Sequence, residues 1–216
     1  MTENVDFKND LQIDNLPNRL TMFRIILIPF VVGCLYLINL DLNFINSSNL
    51  GWIAGWTFTA ASITDFFDGY IARKRNIVTV FGSFIDPIAD KFLTVSSLIM
   101  LMSLGRIPSV LVIILVLREM YMTSLRLLAM NEGISVPVNS LGKWKTAIGM
   151  IGIPMLMANE AWWIFNLPLI GIICIYIAAI LSLWSAITYS ATIIKKLKDD
   201  RKKKKEFKKA NKSKGL

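Results

Sequence analysis

Asp65-Phe66-Phe67-Asp68-Gly69-Tyr70-Ile71-Ala72-Arg73, followed by Gly82, Asp86 and Asp90, is the stretch on which the reading of this chain turns. Its spacing, D-x2-D-G-x2-A-R-x8-G-x3-D-x3-D, sets four carboxylates in a chain that is 54% apolar. Asp65 and Asp68 are i,i+3 and Asp86 and Asp90 are i,i+4, so each pair falls on one face of a helix. If the two helices are antiparallel neighbours, four negative charges converge. An apolar setting accepts such a cluster only when cations neutralise it. Four carboxylates can hold two divalent cations, and Mg²⁺ or Mn²⁺ suits hard oxygen ligands shared with phosphates. Gly69 directly follows Asp68, and Gly82 lies four residues before Asp86. A missing side chain there clears the approach of a ligand to the acidic face, or of one helix to another. Ala72 is small in the same way.

The motif resembles the signature of the CDP-alcohol phosphatidyltransferase family at every fixed position. The resemblance covers nearly the whole chain except its first dozen residues and its tail. It implies an all-α integral membrane protein whose motif binds the cytidine diphosphate part of a lipid donor, CDP-diacylglycerol. It also implies Asp65, Asp68 and Asp86 as principal metal ligands. Asp90 is then the general base and a fourth contact to the two cations, and Arg73 touches the donor's phosphates or nucleotide. Gly69, Ala72 and Gly82 would line the donor site.

Asn18, Arg19, Leu20, Thr21 and Arg24 are similar to the opening N-x-L-T-x-x-R of the bacterial phosphatidylglycerophosphate synthase branch, which adds Asn18 and Thr21 to the donor site. Arg118-Glu119, Ser124-Leu125-Arg126 and Ser140 through Thr146 resemble the later motifs of that branch, with Leu127 standing where the branch carries an acid. That branch uses glycerol 3-phosphate, a dianion that needs cations. Arg118, Arg126, Lys143 and Lys145 are the candidates to hold it. Two other readings stay open: Arg118 as the partner of Glu119 or another acid, and the lysines as plain topology signals. The same donor with serine, inositol phosphate or phosphatidylglycerol as acceptor is the nearest alternative. An intramembrane prenyltransferase would place its aspartates in separate D-x-x-x-D clusters, and an ion-carrying transporter would place them nearer the bilayer midplane.

Outward from the motif, six apolar stretches read as transmembrane helices: about 20–40 with Pro29 as a kink, 52–73, 83–104, 108–130, 144–157 and 168–194. The third should start close to Gly82, because Pro87 is best tolerated near a helix start. Gly149, Gly152 and Pro154 should interrupt the fifth. Gly51 and Gly55 give the second span a small-xxx-small face, a pointer to the interface of the homodimer that the family resemblance implies. Arg73, Lys74, Arg75, Lys143, Lys145 and the tail fall on one side of this arrangement, whereas the alternate loops hold only Arg106. The positive-inside rule therefore puts both termini and the aspartates at the cytoplasmic face of a bacterial inner membrane.

The chain divides into an interfacial segment (1–19), a six-helix domain (20–194) and a polybasic tail (195–216). The tail holds half of the 24 Lys and Arg residues and a net charge of +9, leaving the rest neutral. It reads as disordered beyond a helical extension and should attract anionic lipid. Basicity confined to one end gives no nucleic-acid surface. Histidine is absent, which removes the commonest general base. Cys34 and Cys174 sit in different apolar stretches and read as small buried hydrophobes. The first 19 residues lack the pattern of a cleavable signal, so the first apolar stretch should remain as an anchor.

Overall fold

The computed structural model describes residues 16–40, 46–75, 80–132, 140–162 and 164–213, with the side chains of 16–20, 65–75, 80–87, 140, 141, 143, 162 and 199–213 outside that description. Among the described residues the chain forms six helices: α1 (Leu16–Asn39), α2 (Ser47–Arg75), α3 (Val80–Ser103), α4 (Ser109–Asn131), α5 (Ser140–Ala158) and α6 (Leu167–Ser213). A two-stranded hairpin, β1 (Ala161–Trp162) and β2 (Phe165–Asn166), joins α5 to α6, with Trp162 opposite Phe165. Each helix contains one of the six apolar stretches. The architecture is all-α.

Large apolar side chains are exposed on every helix, among them Ile26 (67%), Trp56 (64%), Phe92 (61%), Leu117 (60%) and Ile187 (67%). Arg24, Ser97, Arg118 and Ser182 are buried instead. A surface that apolar is unfit for water and suits lipid. Thr21–Asn39 in α1 and Leu167–Lys198 in α6 are each long and apolar enough to cross a bilayer. α2 is more polar, yet four hydroxyls in its middle turns are satisfied along the helix itself. Thr57, Thr59, Ser62 and Thr64 donate to the carbonyls of Ile53, Gly55, Phe58 and Ala60 at 2.7, 2.8, 2.9 and 2.8 Å. Such back-bonding removes the cost of carrying a hydroxyl into an apolar layer.

The helices sort into two compact units. One comprises residues 1–112 and 149–175. Within it α1 packs against both α2 and α3, and α2 touches α3. Its core contains Val31, Leu35, Phe58, Leu98, Leu101, Leu156 and Met157. The α3–α4 turn is closed by Gly105 at φ 68°, with Gly105 N–H donating to Met102 and Arg106 N–H to Leu101, both at 2.9 Å. This pairing satisfies the last carbonyls of α3 and calls for a residue free to adopt a left-handed backbone. Arg106 then reaches the end of α5, where its Nη1 donates to the carbonyls of Leu156 (3.0 Å) and Met157 (2.7 Å). Burial pushes its guanidinium below the usual pKa. The second unit comprises residues 113–148 and 176–216. Its core joins Met122 and Ala129 of α4 to Ala186, Tyr189 and Ile193 of α6.

Four expectations are corrected. Helix α3 is described from Val80, two residues before Gly82, which makes Pro87 its eighth residue rather than a residue of its first turn. The carbonyl of Ser83 thereby loses its helical donor. Gly149, Gly152 and Pro154 do not interrupt α5, which is continuous through all three. Gly152 instead lets α6 come close: a Cβ there would lie 2.8 Å from the Cβ of Cys174. The Gly51–Gly55 face is occupied within the chain, since a Cβ at Gly51 would collide with the Met157 carbonyl and one at Gly55 would lie 3.1 Å from the Pro154 carbonyl. That face is not free for a second subunit. Finally, the helix of the last span runs on through the lysine-rich segment to Ser213. Lys, Arg and Glu are good helix formers, and a span already nucleated continues at little cost.

Candidate active site

The motif straddles two helices of one unit. Asp65, Asp68, Gly69, Ala72 and Arg73 lie in the last third of α2, and Gly82, Asp86 and Asp90 lie in the first half of α3. Both segments are helical, so the i,i+3 and i,i+4 spacing of the carboxylates holds on the backbone. Residues 76–79 connect them, so the two ends that bear aspartates are neighbours along the chain as well as through α1. The side chains of Asn18, Asp65, Asp68, Gly82, Asp86, Ala72 and Arg73 are outside the described ones. Asp90 is described: it is half-buried, engaged, and adjacent to the buried Ala89. On α1, which packs against α3, Thr21 (2% exposed) and Arg24 (1%) are buried.

The donor chemistry fits a hard divalent cation: oxygen only, four carboxylates, with neither sulfur nor imidazole nearby in sequence. Among the described residues no group of three or more Asp, Glu, Cys or His forms a metal cluster, and three of the four motif carboxylates lie outside them.

The candidate acceptor cations belong to the other unit. Arg118 is buried in α4. Its Nε donates to the carbonyl of Ser182 on α6 at 3.0 Å, and its Nη1 pairs with Glu119 at 2.9 Å. The same Glu119 oxygen also pairs with Lys145 of α5. One carboxylate therefore organises two cations, leaving the group with a net positive charge in partly buried surroundings. The pair of Arg118 with Glu119, left open by the sequence, is present. Arg126 lies further along α4 and is exposed, and Lys143 is outside the described side chains.

Sequence reasoning missed the organising role of Glu119, although the Arg-Glu pair was itself the available signal. It also missed a second acid. Glu160, just before the hairpin, accepts from Ser48 Oγ and from Trp52 Nε1 (3.1 Å) at the start of α2. Those two hydrogen bonds, Ser48 first, hold its carboxyl below the usual range.

Proteins of known name match this chain closely. The CDP-diacylglycerol–glycerol-3-phosphate 3-phosphatidyltransferase of Rickettsia bellii is 38% identical over 177 residues, covering 82% of this chain and 93% of the relative. The enzymes of the same name from Haemophilus influenzae and Bacillus subtilis are also 38% identical, over 81% and 82% of this chain and 91% and 89% of their own lengths. The family model for CDP-alcohol phosphatidyltransferase matches residues 14–184, a range that takes in every motif aspartate, the buried α1 face and the Arg118–Glu119–Lys145 group. On a match of that extent, this chain belongs to the CDP-alcohol phosphatidyltransferase family.

Proposed function

We propose that this protein transfers the phosphatidyl group of CDP-diacylglycerol to sn-glycerol 3-phosphate, giving phosphatidylglycerophosphate and CMP. The observation that carries this reading is the name shared by relatives matched over most of their lengths, together with an intact D-x2-D-G-x2-A-R-x8-G-x3-D-x3-D motif on two neighbouring helices.

Asp65, Asp68, Asp86 and Asp90 would hold two divalent cations, Mg²⁺ or Mn²⁺, which when bound supply positive charge to the donor's diphosphate and the departing CMP. Asp90 takes the proton of the acceptor's 1-hydroxyl. The freed oxygen bonds to the phosphorus that bears diacylglycerol, and the bond from that phosphorus to the oxygen of CMP breaks. Arg73 meets the charge gathering on CMP. Gly69, Ala72 and Gly82 leave room for the nucleotide, and Asn18 and Thr21 border it from α1. Arg118, Lys145, Lys143 and Arg126 hold the phosphate of glycerol 3-phosphate, a demand that serine would not make.

The six helices span a bacterial inner membrane, with both termini and the aspartates on the cytoplasmic side. The distribution of basic residues supports this, since the loops beyond α1, α3 and α5 carry Arg106 as their single Lys or Arg. Residues 1–19, 20–194 and 195–216 act as interfacial segment, catalytic domain and basic arm. The working unit is a homodimer, and membrane lipid bathes the apolar faces and meets the arm.

The decisive experiment supplies purified protein with CDP-diacylglycerol and, separately, glycerol 3-phosphate, serine, inositol phosphate and phosphatidylglycerol, with CMP release as the readout. Glycerol 3-phosphate alone should support release. Release with another acceptor and none with glycerol 3-phosphate would overturn the assignment.

A further inference from the structure

Arg24 heads the fully buried side chains by size among the described residues. It lies on the face of α1 that also buries Thr21 and Val31. A guanidinium keeps its charge under all ordinary conditions, and an apolar core tolerates that charge only where an acid or other strong acceptor answers it. Helix α1 contains no acid. The two helices packed on it contain four, and these are the motif aspartates: Asp65 and Asp68 in α2, Asp86 and Asp90 in α3.

Depth narrows the choice. At the far ends of α1 and α3, Ser103 Oγ donates to Asn39 Oδ1 at 3.4 Å, which sets the two helices at a common level. At about 1.5 Å per residue, Arg24 then lies about 22 Å from that level, Asp90 about 20 Å and Asp86 about 26 Å. Along the helix axes Arg24 falls between the levels of positions 86 and 90 of α3. The spacing of Asp86, Asp90, Leu93 and Ser97 is that of one helix stripe. Leu93 and Ser97 on that stripe are buried, and Asp90 is half-buried.

We propose that Arg24 is a positioning residue for the Asp86–Asp90 edge of the carboxylate cluster. Its fixed charge offsets the repulsion between the aspartates and holds them in the orientation that receives a divalent cation. The proposal rests on the metal reading of the motif and adds a residue to it that makes no contact with the cation.

The test measures Mn²⁺ binding by electron paramagnetic resonance on the full chain in zwitterionic nanodiscs, without substrate. The wild type should bind Mn²⁺; if it does not, the metal reading falls and this proposal falls with it. If it does, Arg24→Gln should bind about 10- to 100-fold more weakly, as loss of an orienting partner does at other metal sites. Arg24→Lys should lie between the two. Wild-type affinity in a folded Arg24→Gln protein overturns the proposal, because a residue needed only for packing or for the donor nucleotide leaves metal affinity unchanged. A second measurement decides the matter if Arg24→Gln does not fold. Arg24→Met should lower the melting temperature in EDTA, and adding Asp86→Asn or Asp90→Asn should restore at least half of the loss. Failure of both aspartate changes to restore stability overturns the proposal as well.

Discussion

Gly152 on α5 and Gly171 on α6 approach so closely that each backbone carbonyl occupies the neighbourhood a side chain on the other would need. A Cβ at Gly152 would lie 3.1 Å from the Gly171 oxygen, and one at Gly171 would lie 3.0 Å from the Gly152 oxygen. Small residues at such a crossing let dispersion forces act between backbones, the main source of helix association where solvent is itself apolar. Gly171→Ala should therefore destabilise the protein by about 1–3 kcal/mol through overpacking. Gly33 has nothing within 4 Å of a built Cβ. Gly33→Ala should be neutral or slightly stabilising, by up to about 1 kcal/mol, because it only removes the helix penalty of glycine. Thermal unfolding in detergent compares the two; equal effects would mean that the crossing is not tight.

The Glu160 carboxylate, held by Ser48 and Trp52, should make stability depend on acidity. Its pKa is lowered by those hydrogen bonds, so its contribution is complete above the ordinary carboxylate range and fades as pH falls through the lowered value. The melting temperature of the wild type should exceed that of Glu160→Gln near pH 7, and the gap should close on acidification toward pH 3. A gap that stays constant between pH 7 and pH 3 would show that the carboxylate charge is not what Ser48 and Trp52 hold.

Helix content and the motif were legible because both live in local spacing. Apolar stretches and the aspartates at i,i+3 and i,i+4 need no partner to be recognised. The misreadings at Gly51, Gly55 and Gly152 share one cause. Glycine in a helical pattern signals a break, a dimer face or a close crossing with the same letter, and only the identity of the neighbour separates them. Met157 and Gly171 are those neighbours, and neither is close in sequence. Arg24 was quoted as part of a motif, but its burial depends on three helices meeting, which periodicity cannot supply. The hairpin at Ala161–Trp162 and Phe165–Asn166 is too short to show an alternating pattern.

The Arg118–Glu119–Lys145 group makes the acceptor site testable apart from the metal site. Arg118 also holds the Ser182 carbonyl, so Arg118→Ala should lose stability along with acceptor use, since it breaks a buried pair. Lys145→Ala is the cleaner probe because Arg118 still neutralises Glu119. It should raise the KM for glycerol 3-phosphate about tenfold or more, the scale of one lost charge-assisted contact, while binding of CDP-diacylglycerol stays unchanged. An unchanged KM would reduce Lys145 to a topology signal.

The proposed base is Asp90, the one motif aspartate whose side chain is described, and it is half-buried on α3. It lies furthest along its helix of the two α3 aspartates, ten residues past Val80, beside the buried Ala89 and one turn before the buried Leu93. Asp90→Asn keeps the size and one acceptor oxygen but cannot take a proton. Turnover should fall by about 10²–10⁴-fold, the usual worth of general-base help. CDP-diacylglycerol binding should change far less, because three carboxylates remain. Asp65→Ala or Asp86→Ala should instead abolish activity at every Mg²⁺ concentration, and EDTA should silence the wild type. Single-turnover measurements of CMP release separate these cases: an Asp90→Asn enzyme with normal turnover would move the base elsewhere, and full activity in EDTA would remove the cations from the reaction.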